Sequence, residues 1–226
     1  MSIPGAFILD MDGTIVHNIP FHIQSWLALL HELGVAITED EFIRRMIGKT
    51  NAETLRELVA ADLTDDQIAV YAARKEALYR ELYRPHLRPV PGLRQFLLDA
   101  RRLGIPLALA TSAPPENIAF VLGGLGIAGY FQVVIGADRV ARGKPHPDLF
   151  LAAAGDLGAP PARCLVFEDS LMGLEAARRA GMPAVALATT LDARELADVP
   201  GVVQVIPDFA LNPATLLEIA FGELDS

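Results

Sequence analysis

The stretch Ala6-Phe7-Ile8-Leu9-Asp10-Met11-Asp12-Gly13-Thr14 decides how the chain is read. Its first four residues form an unbroken apolar run, the pattern of a short strand buried on both faces. Two carboxylates two residues apart at the end of such a strand repel each other and lose hydration, so a compensating positive charge is expected nearby. Carboxylate and carbonyl oxygens of this kind suit Mg2+. Gly13 lets the backbone turn sharply and lets a ligand approach the main chain. A plain Asp-Gly turn, with Asp10 capping it, is the competing reading.

Working outward, five more apolar runs read as strands: Pro106 to Ala110, Gln132 to Ile135, Cys164 to Phe167, Pro183 to Leu187 and Val202 to Ile206. They are mostly unbroken rather than alternating, as in parallel strands covered on both faces. Amphipathic helical patterns lie between most of them, over Gly92 to Leu103, Glu116 to Leu125, Pro147 to Leu157 and Ser170 to Ala180. Gly104 with Pro106, and Gly181 with Pro183, punctuate two helix ends. Asn212-Pro213 opens a C-terminal helix as a cap followed by proline at the first helical position. Strand-helix alternation predicts an α/β fold, a doubly wound, mostly parallel Rossmann-like sheet.

Residues 17 to 86 carry no convincing strand. Ile23, Trp26, Leu27, Leu30 and Leu33 make one helix stripe over Phe21 to Leu33, ending at Gly34. Thr38-Glu39-Asp40-Glu41 and Thr64-Asp65-Asp66-Gln67 have capping-box spacing ahead of further helical runs. Pro20 at entry and Pro85, Pro89 and Pro91 at exit stiffen the connections. The expected organisation is an α/β core from 1–16 and 87–226, with a small all-helical cap domain inserted as 17–86. Such a body can open and close over a site.

A chain of 226 residues buries roughly 70% or more of its unfolded surface and needs no disulfide or metal to fold. Cys164 is the only cysteine, which excludes a disulfide framework and a thiolate zinc site and suggests a reducing, cytoplasmic compartment. A formal charge of -9 argues against a nucleic-acid partner. No basic stretch precedes a long apolar core at the N-terminus, and no apolar run reaches the ~18 residues that span a bilayer. A soluble protein with no membrane partner is expected, as a monomer or weak dimer.

Open parallel sheets bind ligands at the carboxyl ends of their strands. The polar residues expected there share one theme: Asp10 and Asp12 after the first strand, Thr111 and Ser112 after Ala110, Lys144 in the loop beyond Ile135, and Glu168 and Asp169 after Phe167. Carboxylates for a metal, with hydroxyls and an ammonium for an anion, would meet along one edge. Each has a simpler reading: Thr111-Ser112 and Asp169-Ser170 as helix caps, Lys144 as a solvated loop residue. The five histidines show no ligand spacing; His17, His22 and His31 read as helix-surface or hinge residues.

These motifs, in this order, resemble the haloacid dehalogenase superfamily, in its branch with a helical cap after the first strand. Asp10-Met11-Asp12-Gly13-Thr14 matches the first motif, Thr111-Ser112 the second, Lys144-Pro145-His146-Pro147-Asp148 the third and Glu168-Asp169-Ser170-Leu171-Met172-Gly173 the fourth. The likeness covers nearly the whole chain and is greatest to the β-phosphoglucomutase-like phosphatases and mutases. It implies a Mg2+ enzyme acting on a small phosphorylated metabolite, a sugar or polyol phosphate. Asp10 would be the nucleophile and Asp12 the acid and base. Thr111, Ser112 and Lys144 would hold the phosphoryl group. Asp10, the Asp12 carbonyl and Asp169 would hold the metal, with Glu168 a further ligand or a supporting partner.

The resemblance also implies cap contacts to substrate at His22 and Lys75, and at Gly48-Lys49-Thr50-Asn51, where Asn51 replaces the mutase's phosphate-holding Arg and Lys49 stands two residues earlier. Lys49 and Lys75 read equally as exposed lysines. His17-Asn18 departs from the acidic and hydroxyl pair usual after the first motif. Within the family that the chain resembles, an aspartate at position 12 implies phosphate-ester hydrolysis, with phosphomutase chemistry as the alternative and a non-catalytic phospho-ligand-binding protein as a remote one.

Overall fold

A computed structural model describes residues 5–46 and 50–222. The chain divides into two compact units, Met1–His17 with Arg88–Ser226, and Asn18–Leu87. Each end of the second unit lies one residue later than the proline positions suggest.

In the first unit, six strands form one parallel sheet: β1 Ala6–Leu9, β2 Leu107–Ala110, β3 Val133–Ile135, β4 Cys164–Glu168, β5 Ala184–Leu187 and β6 Val202–Ile206. Their order is β3-β2-β1-β4-β5-β6. The chain builds leftward from β1 to β3, then returns to the other side of β1 with β4. The switch point therefore lies between β1 and β4, where such sheets open a crevice. Register puts Leu9 opposite Leu109 on one side and Phe167 on the other. The Asp10 amide then donates to the Phe167 carbonyl at 3.0 Å, which ties the first aspartate to the end of β4.

Alternation along β1 explains why its four residues are all apolar. Ala6 and Ile8 face a core of small residues with Leu149, Phe150, Ala153, Ala176 and Ala177, from α7 (Asp148–Leu157) and α8 (Leu171–Arg179). Phe7 points to the other face, into a cluster with Phe96, Phe167 and Phe209, at centroid separations of 5.0 to 5.8 Å. Burying each phenyl contributes about 1.5–3 kcal/mol, and each well-oriented ring pair about 0.5–1.5 kcal/mol more. Phe96 comes from α5 (Leu93–Arg102); α6 (Pro115–Leu125), the short α9 (Ala193–Ala197) and α10 (Pro213–Phe221) complete the unit. The expected Asn212 cap is present, its side chain accepting from the Ala214 amide at 2.9 Å.

The second unit is helical throughout its described residues: α1 Ile19–Glu32, α2 Glu39–Met46, α3 Asn51–Leu58 and α4 Asp65–Tyr83. Ile23, Trp26, Leu29, Leu30, Phe42, Met46, Leu55 and Ile68 form its core. Thr64 and Gln67 make the predicted capping box, and Thr50 with Glu53 makes a second. Thr38 accepts from the Glu41 amide at 3.2 Å.

Candidate active site

The loop after β1 is a tight turn in which the amides of Thr14, Ile15 and Val16 all point to the Met11 carbonyl. Gly13 adopts φ +80°, closed to most side chains, and an added Cβ would overlap the Asp169 carboxylate. The two ends of β1 and β4 are thus pressed together by the absence of a side chain at 13. Gly173 does the same for Glu168: a Cβ there would overlap that carboxylate and stand 2.5 Å from its Cγ.

One ligand oxygen from each of Asp10, Glu168 and Asp169 lies within 4.8 Å of the others, and all three residues are buried. Lys144 reaches this group from the loop before α7. Its Nζ donates to Asp10 Oδ1 at 2.6 Å and to Glu168 Oε1 at 3.2 Å. The solvated-loop reading of Lys144 is therefore wrong, since its side chain is only 9% exposed. The loop is closed on itself by a two-pronged bond from Arg142 to Asp148, at 3.0 and 2.8 Å.

Burial raises the Asp10 carboxyl above its ordinary range; Lys144 opposes this and the Asp12 charge adds to it. Glu168 lies well above its ordinary range because of burial and the facing Asp10. Burial and Asp10 push Asp169 up to about 7, against hydroxyl bonds that favour its ionised form. Burial alone would lower the Lys144 ammonium, but Asp10 and Glu168 hold it above the usual lysine range. Three carboxylates and one ammonium leave a formal excess of two negative charges in a buried space. A divalent cation with oxygen preference cancels that excess, so the residues present fit Mg2+.

The remaining sequence-derived residues separate into groups. Asp12 is half-buried in the β1 turn, outside the close carboxylate group but near enough for its charge to act on Asp10. Thr111 is buried at the end of β2, where its Oγ1 accepts from the Ala113 amide at 3.1 Å; Ser112 is exposed. Neither caps α6, whose N-cap is Pro114 without a side-chain bond. Ser170 does both jobs open to it: it caps α8 through the Gly173 amide at 3.1 Å and donates to Glu168 Oε1 at 2.6 Å.

Within the second unit, His22, Lys75 and Asn51 join one network. The Lys75 ammonium donates to His22 Nδ1 at 2.8 Å and to Glu76 Oε1 at 2.9 Å, and Asn51 Nδ2 donates to the same oxygen at 3.0 Å. Lys75 is 3% exposed and lies over the Trp26 and Tyr79 rings, which overturns its reading as an exposed lysine. Burial would raise the Glu76 carboxyl, but the Lys75 charge and the Asn51 hydrogen bond hold it below its ordinary range. Lys49 lies outside the described residues.

Sequence reasoning missed Thr189 and Thr190, which follow β5. The Thr189 hydroxyl donates to the Gly13 carbonyl and that of Thr190 to Asp169 Oδ2. Their signal was available: hydroxyls directly beyond an apolar strand, at the same sheet edge as Thr111 and Ser112. The role of Thr14 was also unassigned; its Oγ1 donates to Asp169 Oδ1 at 3.2 Å.

Comparisons with known proteins give the family. The haloacid dehalogenase-like hydrolase family matches residues 4–181. The chain is 31% identical over 209 residues to a phosphorylated carbohydrates phosphatase of Thermotoga maritima, covering 92% of this chain and 96% of that protein. It is 30% identical over 205 residues to the chloroplastic 5-amino-6-(5-phospho-D-ribitylamino)uracil phosphatase of Arabidopsis thaliana, covering 90% of this chain but only 55% of that longer protein. Among solved structures, a β-phosphoglucomutase from Clostridium difficile superposes with a TM-score of 0.83 at 25% identity, over 97% of each chain. With the matched family spanning both the β1 turn and the acidic end of β4, the chain belongs to the haloacid dehalogenase-like hydrolases.

Proposed function

We propose that the protein is a Mg2+-dependent phosphatase that hydrolyses a small sugar or polyol phosphate through an aspartyl-phosphate on Asp10. The observation that carries this reading is the Lys144 ammonium 2.6 Å from Asp10 Oδ1, among three buried carboxyl groups.

Asp10, Glu168 and Asp169, with the main-chain carbonyl of Asp12, would hold the metal. When bound, it supplies the positive charge that lets a carboxylate approach a phosphate dianion. Asp10 attacks phosphorus and the bond to the ester oxygen breaks, leaving the phosphoryl group on the Asp10 carboxylate. Lys144, Thr111 and Ser112 bind the phosphoryl oxygens as charge builds on them. Asp12 gives its proton to the departing alkoxide, then takes one from the water that attacks the phosphoenzyme. Inorganic phosphate leaves and both aspartates return to their starting states. The half-buried setting of Asp12 gives it access to both leaving group and water. The second unit, 18–87, would act as the cap that selects the substrate.

The choice of sugar or polyol phosphate follows relatives named for phosphorylated carbohydrates and for a phosphoribityl compound. A β-phosphoglucomutase activity is the second reading, favoured by the structural likeness to a protein of that name. It shares the phosphoenzyme and differs in the acceptor. Asn51 speaks against it, since a neutral amide bound to Glu76 cannot replace a guanidinium fork on a second phosphate.

The test is release of phosphate from a generic aryl phosphate and from a panel of sugar and polyol phosphates, with and without EDTA. Asp10→Asn should abolish turnover while the fold persists; undiminished turnover removes Asp10 as nucleophile. Conversion of β-glucose 1-phosphate to glucose 6-phosphate without free phosphate, given a trace of the bisphosphate, would sink the phosphatase reading in favour of the mutase.

A further inference from the structure

Asp169 is held from three sides, and only one of them lies outside the matched motifs. Thr14 donates to Oδ1 at 3.2 Å from the β1 turn. Thr190 donates to Oδ2 from beyond β5. Gly13 leaves the space that the same Oδ2 occupies, and the Gly13 carbonyl is itself held by the Thr189 hydroxyl. Asp169 is 2% exposed, so no bulk water competes for these positions.

The β5 end therefore acts on both halves of the acidic group at once. Thr189 fixes the turn that carries Asp10 and Asp12, and Thr190 fixes the carboxylate plane opposite it. β5 reaches both because it pairs with β4, and β4 pairs with β1.

We propose that Thr190, supported by Thr189, is a positioning residue for the metal. Its hydroxyl sets the rotation of the Asp169 carboxylate, which would keep it directed toward Asp10 and Glu168 in the ligand set proposed above. A carboxylate bonded at Oδ1 alone can swing about its last side-chain bond, and the second hydroxyl removes that freedom. Supporting partners of metal ligands, when removed, typically cost about 10–100-fold in affinity or activity. A hydroxyl that merely filled space would cost nothing when replaced by an isosteric methyl group.

The experiment measures Mn2+ binding to the metal-stripped full chain by titration calorimetry, with no substrate present. Wild type, Thr190→Val, Thr190→Ser and Thr189→Val are compared, with melting in EDTA as the check on folding. Thr190→Val should bind at least ~10-fold more weakly, and Thr190→Ser should return close to wild type because it keeps the oxygen. Thr189→Val should show a smaller loss, acting only through the turn. Wild-type affinity in Thr190→Val overturns the inference and leaves the phosphatase reading standing. So does Thr190→Ser binding as weakly as Thr190→Val. A wild-type chain that binds no Mn2+ overturns the ligand set itself, and the positioning role with it. Should Thr190→Val fail to fold, the serine variant and Thr189→Val decide: near-wild-type binding in Thr190→Ser with a loss in Thr189→Val supports the role, and weakened binding in Thr190→Ser or unaltered affinity in Thr189→Val refutes it.

Discussion

Replacing Gly173 by alanine sets two physical expectations against each other. Gly173 is the third residue of α8, and glycine to alanine in a helix ordinarily gains up to about 1 kcal/mol. Here the new methyl would overlap the Glu168 side chain, which is 1% exposed. Glu168 must leave its place, giving up the Ser170 hydroxyl at 2.6 Å and Lys144 at 3.2 Å. Losing hydrogen bonds to a buried charged group costs about 1.5–3 kcal/mol, and overpacking about 1–3 kcal/mol. Set against the helix gain, Gly173→Ala should be destabilised by roughly 1.5–5 kcal/mol in urea unfolding. Metal binding by the stripped protein should weaken as well, because one carboxylate has moved. A variant more stable than wild type that binds Mn2+ normally would refute the packing of Glu168 against Gly173.

Lys144→Gln removes the charge and shortens the side chain by one atom, and should cut phosphatase turnover by about 100-fold or more, measured at saturating Mg2+. Asp12→Asn should lose about 100–10,000-fold on an alkyl phosphate and much less on an activated aryl phosphate whose leaving group needs no proton. Equal losses on both substrates would remove Asp12 as the acid. Glu76→Gln leaves Lys75 buried without its counter-charge and should cost about 3–5 kcal/mol in unfolding. The Glu76 carboxyl is held below its ordinary range, so its stabilisation is present above the unfolded value near 4.5 and disappears as pH falls through the lower folded value. Acid unfolding should accordingly be shallower in the Glu76→Gln variant than in wild type. Because like charges crowd among Asp10, Glu168 and Asp169, adding Mg2+ to EDTA-stripped protein should raise its melting temperature.

The sheet was legible because its strands are buried on both faces, which leaves unbroken apolar runs in place of weak alternation. Pro106 and Pro183 were read into β2 and β5, yet the paired segments begin a residue later; each proline contributes only a carbonyl, to Phe7 and to Val166. The acidic group was legible from the strand-end rule, since the switch between β1 and β4 brings those ends together, whereas Lys144 lies in a loop and reads equally as a solvated residue until its ammonium is seen on Asp10. What escaped the reading depends on three-dimensional contact with no local signature. Lys75 and Glu76 look like an ordinary charged pair on a helix, and only packing under Trp26 shows that they are interior. Gly173 looks like a weak helix residue until Glu168 is seen in its space. Thr189 and Thr190 carry the strand-end signal, but nothing in the sequence says that β5 pairs with β4 and so brings them to Asp169. Thr50-Asn51-Ala52-Glu53 did carry a readable capping box.

The measurement that bears most directly on the account is where the phosphoryl group goes. Wild-type protein would be mixed with Mg2+ and an activated aryl phosphate, quenched in acid within the first turnover, digested and examined by peptide mass spectrometry. The account predicts one phosphoryl group on the peptide that contains Asp10, accumulating further in Asp12→Asn, where the base for its hydrolysis is gone. Full turnover with that peptide unmodified at every quench time, or with the phosphoryl group on another residue, would contradict it.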